Sequence, residues 1–196
     1  VTARLLAALL AVVLVLTGCG KSDAVRFKST DITGADFARA IDLAGHDGKA
    51  RTLADFNGKV LVVFFGFTHC PDVCPTTLAR FAAVMKALGP DADRVQVVLI
   101  TVDPARDKPE ILAKYVTAFN PAFLGLTGDA AAIERTAKEF RVIYEKQAGQ
   151  TPETYTVDHS SGIFVFDPKG RVRLFVSGQQ DASALEHDIR LLLSGA

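Results

Sequence analysis

The stretch "KVLVVFFGFTHCPDVCPTTLARFAAVMKAL", residues 59–88, decides how this chain is read. Residues 59–67 form a continuous apolar run rich in β-branched and aromatic side chains. Such a run predicts a strand buried on both faces, in the middle of a parallel sheet. Residues 75–88 place apolar side chains at 78, 81, 84, 85 and 88, the spacing of one helix face. Between the two stand Cys70 and Cys74, each followed by a proline. Pro71 disfavours helical geometry at Cys70 and keeps that residue in the loop. Pro75 suits the first helical position, because the N–H it lacks would be unpaired there. Cys74 is therefore expected at a helix N-terminus, where the helix dipole and free amides lower a thiol's pKa. Three chemistries use such a pair: a redox disulfide, a metal site or a peroxide-reducing thiol.

Outward from this stretch, strands and helices alternate. "ARAIDLAGHDGKARTLADF" (38–56) predicts two short strands around a turn with "HDGK" at its tip. "VQVVLITV" (95–102) is a second buried strand, "KPEILAKYVTAF" (108–119) a helix, "FLGLTG" (123–128) a short strand and "AAAIERTAKEF" (130–140) a helix. "RVIYEKQ", "SGIFVFDPKG" and "RVRLFVSGQ" read as strand-like pieces, with "DPKG" (167–170) as a hairpin turn. "DASALEHDIRLLLSG" (181–195) is a C-terminal helix capped by Asp181 or Ser183. This order predicts an α/β fold, a mixed sheet with helices on both faces. It is the plan of a thioredoxin-like domain with an N-terminal β-hairpin added in front.

The start of the chain reads differently. Arg4 precedes the apolar run "LLAALLAVVLVL" and then "TGCG", the layout of a signal peptide. The run is too short to favour a spanning helix, which needs about 20 apolar residues. "LTGC", Leu16 to Cys19, resembles the lipobox of bacterial lipoproteins, in which the cysteine is lipidated. The expected organisation is a signal peptide over 1–18, lipidated Cys19 with a flexible tether over 19–36, and one domain over 37–196. The domain is then extracytoplasmic and held to a membrane through its lipid anchor. Basic and acidic residues balance at 22 each and no basic patch stands out, so no nucleic-acid partner is expected.

Of three cysteines, the lipobox takes Cys19, leaving Cys70 and Cys74. A disulfide closing so short a loop removes little chain entropy and is a poor staple. Dithiol oxidoreductases of the thioredoxin kind usually have two residues between their cysteines; here Pro71, Asp72 and Val73 intervene. The longer loop lets both sulfurs converge on a common metal. Peroxiredoxins carry a threonine three residues before the reactive cysteine. Pro71 and Phe67 occupy that position for Cys74 and Cys70, which places the peroxidase reading low. A metal needs a third donor. His46 is expected exposed in its turn, His187 on a solvated helix face, and His69 pointing away from its neighbour Cys70. His159, in "VDHSSGIFVFD", precedes a strand whose leading loop lies beside the cysteines in a thioredoxin-like domain. Ser161 occupies the place where thioredoxins have a cis-proline.

"FTHCPDVCPTTL", "VDPARDKPEIL" and "DHSSGIFVFDPKG", in this order, resemble the Sco/SenC family of copper-binding, membrane-tethered thioredoxin-like proteins over most of residues 37–196. The resemblance implies Cys70, Cys74 and His159 as copper ligands. It implies as function a copper chaperone for the CuA centre of cytochrome c oxidase, with the oxidase's copper-bearing subunit or another copper protein as partner. It leaves open thiol-disulfide exchange by Cys70 and Cys74, keeping the oxidase cysteines reduced, or redox or copper sensing. Two thiolates and an imidazole suit Cu(I), and an added water or carboxylate suits Cu(II). Structural zinc takes four protein ligands, and no fourth is evident. Met85 is expected in the core. Asp107 and Glu110 are spaced as cap and third residue of the next helix. The resemblance also places Asp103 and Asp107, and less so Asp72, near the metal.

Overall fold

The computed structural model describes residues 26–151, 154–177 and 180–196. The proposed signal peptide, Cys19 and the first part of the tether lie outside the described residues. No helix among the described residues is long and apolar enough to cross a membrane.

Among the described residues, ten strands and four α-helices follow one another: β1 (Thr30–Asp31), β2 (Asp42–Gly45), β3 (Ala50–Thr52), β4 (Val60–Gly66), α1 (Val73–Leu88), β5 (Val95–Thr101), α2 (Pro109–Phe119), β6 (Leu124–Thr127), α3 (Ala130–Glu139), β7 (Tyr144–Gln147), β8 (Thr156–His159), β9 (Ile163–Phe166), β10 (Val172–Val176) and α4 (Ala182–Leu193). The main sheet has the order β1-β10-β9-β4-β5-β6-β2-β3. β4, β5 and β6 run parallel, while β9 pairs antiparallel with β4 on its other side. β7 and β8 form a separate two-stranded sheet. This is the expected mixed sheet, with the β2–β3 hairpin added beyond β6.

The alternation of side chains along β4 and β5 builds a core on each face of the sheet. Leu61, Val63, Phe65 and Phe67 of β4 and its extension point to one core, with Val98, Ile100, Ile133 and Phe140. Val60, Val62 and Phe64 point to the other, against α1, α2 and α4. The apolar stripe read on α1 is buried as expected, Met85 included. Burying Leu78, Phe81, Val84 and Leu88 is worth about 1.5–3 kcal/mol each. A helix cap contributes about 1 kcal/mol, and α1 has no side-chain cap hydrogen bond. Core packing therefore holds the helix that carries Cys74.

Several details differ from the sequence expectations. α1 begins at Val73 with Asp72 in the cap position, so Cys74 and Pro75 are its second and third residues. The first turn's amides have no intrahelical partner in any case, so a proline is tolerated throughout it. The first amide to close the helix is that of Thr76, donating to the Asp72 carbonyl at 3.1 Å. Asp107 does not cap α2: Lys108 does, with Pro109 in the first helical position, because the Asp107 carboxylate is turned inward. β1 lies ahead of residue 37 and pairs with β10, and Ile32 N–H donates to the Arg173 carbonyl. The cap of α4 is Asp181, whose carboxylate accepts from Ala184 N–H at 2.7 Å.

Candidate metal centre

The two cysteines are mounted on the middle of the sheet. β4 ends at Gly66, and the chain turns through Thr68 to Asp72 into α1. Cys74 is 1% exposed, with its sulfur lying against the Gly66 backbone. A Cβ on Gly66 would stand 2.6 Å from the Cys74 Sγ, closer than any ordinary contact. Only glycine leaves this room. The interruption of an apolar strand by glycine in "FFGF" was the available signal, and it was missed. Cys70 stays in the loop, half-buried, its amide donating to the Phe67 carbonyl at 3.2 Å.

Cys74 departs from the expected low-pKa thiol. Burial pushes its pKa up, the neighbouring Cys70 and Asp107 add to this, and the Phe67 amide, which donates to the sulfur, only partly offsets it. Desolvation outweighs the helix dipole in a thiol so deeply placed. Tyr115 on α2 brings another buried group to this region. Its hydroxyl has no hydrogen-bond partner among the described residues. Burial, then Cys74, Cys70 and Asp107, push its pKa up.

His159 arrives from the other side. It is the last residue of β8, paired with Tyr144 of β7, rather than part of a loop. Its Nδ1 lies 3.0 Å from the Ser160 carbonyl oxygen. A carbonyl can only accept, so Nδ1 carries a proton, and in the neutral ring Nε2 keeps the free lone pair. Such a bond is how ligand histidines are commonly oriented. Nε2 lies 3.8 Å from the Cys74 Sγ, and the Phe67 ring meets the imidazole edge-on, with centroids 6.0 Å apart. A cleft of about 240 Å³ opens here, lined by Cys70, His159, Phe67, Asp72 and Ser161 among others.

The loop after β5 supports both sides. Asp107 is fully buried. Its carboxylate accepts from Thr101 Oγ1 at 2.6 Å, from Thr68 Oγ1 at 2.6 Å and from Thr68 N–H at 3.0 Å. It thus ties the cysteine loop to β5. Asp103 accepts from the Tyr155 hydroxyl at 2.7 Å and from Arg106 Nε. Asp72 remains exposed at the start of α1 and accepts weakly from Thr76 Oγ1 at 3.3 Å.

The ligand atoms of Cys70, Cys74 and His159 all lie within 4.8 Å of one another. Two metal–sulfur bonds of about 2.3 Å span up to about 4.6 Å, so little movement would bring all three onto one ion. The set is soft and low in coordination number, which fits Cu(I), with room in the cleft for a further oxygen donor. The other histidines stay apart. His69 is exposed beside the Thr68 hydroxyl. His187 bonds Asp188 at 3.0 Å on α4. His46 is half-buried rather than exposed, because its Nδ1 accepts the Gly125 amide at 3.0 Å and ties the β2–β3 hairpin to β6.

Fold and site together define a thioredoxin-like α/β domain that gathers two cysteines and a histidine into one metal-binding group. The SCO1/SenC family description matches residues 29–194, and the chain belongs to that family. It is similar to the human mitochondrial protein SCO2 homolog, 38% identical over 150 residues, covering 76% of this chain and 56% of that protein. The chain thus spans little more than half the length of such curated relatives. Among solved structures it is similar to Bradyrhizobium japonicum ScoI with copper bound, at 36% identity and a TM-score of 0.73, covering 79% of this chain and 98% of that one. It is also similar to apo Sco1 from Thermus thermophilus, at 37% identity and a TM-score of 0.78, covering 87% and 99%.

Proposed function

We propose that this protein binds one copper ion through Cys70, Cys74 and His159 and assists assembly of the CuA centre of cytochrome c oxidase from an extracytoplasmic membrane surface, anchored at lipidated Cys19. The observation that carries this reading is the convergence of the three donor atoms within 4.8 Å. Copper in the similar Bradyrhizobium structure supports the choice of metal. "LTGC" after the apolar run supports the anchor. The partner is the copper-bearing subunit of the oxidase or another copper protein.

The second reading is thiol-disulfide exchange, favoured by two free sulfurs so close together in the same loop and helix start. His159→Ala separates the two. Cu(I) accepts two thiolates in a near-linear arrangement, so the variant keeps much of its Cu(I) binding. Cu(II) prefers more nitrogen and oxygen donors, so its affinity and its sulfur-to-copper absorption are lost. Exchange needs only the sulfurs and survives. Cells carrying the variant lose oxidase activity if delivery is the function, with partial rescue by added copper. Normal Cu(II) binding by the purified variant would remove His159 from the site and overturn the assignment.

A further inference from the structure

We propose that Asp103, Arg106 and Tyr155 form a latch that holds the β7–β8 hairpin against the body of the domain, acting as positioning residues for His159 and not for the cysteines. The proposal rests on His159 being a metal ligand. β7 and β8 pair with each other and not with the main sheet. The position of His159 therefore depends on what pins a two-stranded ribbon, a unit of little stability by itself. Val157 anchors its buried face in the core. The polar ties come from Tyr155, immediately before β8. Its hydroxyl donates to Asp103 at 2.7 Å, and its carbonyl accepts from Arg106 Nη1 at 3.0 Å. Arg106 also binds Asp103 through Nε, closing a triangle among the three residues.

The stacking runs through the same residues. The Arg106 guanidinium carbon lies 3.6 Å from the Tyr155 ring centroid, and the ammonium of Lys146, on β7, lies 3.5 Å from that centroid. Arg106 also stands 5.8 Å over the Phe67 ring, whose edge meets His159. Tyr155, Arg106, Phe67 and His159 thus form one run of ring and guanidinium contacts, of which Phe67 and His159 line the cleft. Nη2 of Arg106 is buried with no hydrogen-bond partner among the described residues. An unmade bond on a buried donor is costly, so the guanidinium sits where the stack and its two bonded nitrogens hold it, not where every donor is satisfied. The cysteine loop is tied by different side chains, Asp107 and Thr68, although Asp107 N–H donates to the Asp103 carbonyl within the same loop.

The test uses the full chain with Tyr155→Phe, Tyr155→Ala and Arg106→Lys. Amide hydrogen exchange of Val157 and His159 is compared with that of Val63 and Val98, and Cu(I) and Cu(II) are titrated separately. The latch predicts faster exchange in the hairpin by about tenfold in Tyr155→Ala and a few-fold in Tyr155→Phe, with the main sheet unchanged. Cu(II) affinity falls about tenfold, with altered sulfur-to-copper absorption, while Cu(I) affinity falls markedly less. If Tyr155→Ala does not fold, Tyr155→Phe and Arg106→Lys carry the same comparison. Unchanged hairpin exchange, equal acceleration in hairpin and sheet, or equal loss of Cu(I) and Cu(II) overturns the latch. A wild-type chain that binds no copper overturns the copper reading, and the exchange ratio then decides the latch alone.

Discussion

The two sides of the candidate metal centre are held in different ways. Cys74 leans on Gly66 at the end of β4, a strand paired on both sides within an eight-stranded sheet and buried along its whole length. His159 ends a two-stranded hairpin that touches the body through Val157, Tyr144, the Phe67–His159 ring contact and a small polar cluster. A strand inside a large sheet cannot shift without opening two ladders and two cores. A hairpin of four-residue strands can. The Cys74 sulfur is thereby fixed in advance, and the imidazole is held by the smaller unit, an arrangement that would suit copper in two oxidation states with different coordination preferences.

Removing a sulfur is the largest perturbation of this contrast. Cys70→Ser and Cys74→Ser should each nearly abolish copper binding, read as metal per chain after loading with Cu(I), whereas His159→Ala should spare much of it. Equal losses from all three would erase the distinction between the two sides.

Asp107→Ala comes next. It removes three hydrogen bonds to a fully buried carboxylate and leaves the Thr68 amide and the Thr101 hydroxyl proton without their acceptor. A cost of about 2–4 kcal/mol is expected, measured by urea denaturation, together with weaker Cu(I) binding because the cysteine loop loosens. Cu(I) affinity left intact would show that the loop is held by packing alone.

Gly66→Ala should cost about 1–3 kcal/mol through overpacking. The added methyl meets the Cys74 sulfur, so Cu(I) affinity should fall with stability. A variant as stable as wild type with normal Cu(I) binding would mean that α1 shifts freely, against the rigid cysteine side described above.

The smallest effect at the site is expected from a remote buried carboxylate. Asp188 on α4 accepts the Lys28 and Ser29 amides at 2.8 Å each. Burial raises its pKa, but these donors and His187 outweigh burial and hold it below the usual carboxylate value. A depressed folded pKa means stabilisation that is present above the unfolded value near pH ~4 and lost as pH falls through the folded value. Asp188→Asn should lower stability at neutral pH by about 1–3 kcal/mol. The gap to wild type should close on acidification, with copper binding unchanged at pH 7. A constant gap down to low pH would remove the carboxylate as its cause.

Much of the cysteine side was legible in the chain. The apolar run of β4, the helix spacing of α1 and the two prolines place Cys70 and Cys74 through contacts between near neighbours in sequence. The histidine side was less so. "TVDH" is too short and too polar to announce a strand, and β8 exists because β7 pairs with it. Asp107 read as a cap because local spacing allows one; it is turned inward by Thr68, 39 residues away in sequence. The low thiol pKa expected at a helix N-terminus failed for the same kind of reason, since burial depends on the whole fold.

Sequence alone therefore determined the order of elements from β2 to β7 and from β9 to α4, the strands buried on both faces and the donor types, because periodicity and residue chemistry are local properties. Tertiary structure alone decided that His159, 85 residues from Cys74, faces it at 3.8 Å. It alone gave Gly66 the task of making room for a sulfur and turned two loop aspartates into supports for opposite sides of one site. Distances between remote segments are set by packing and pairing of the whole sheet, and no short-range pattern encodes them.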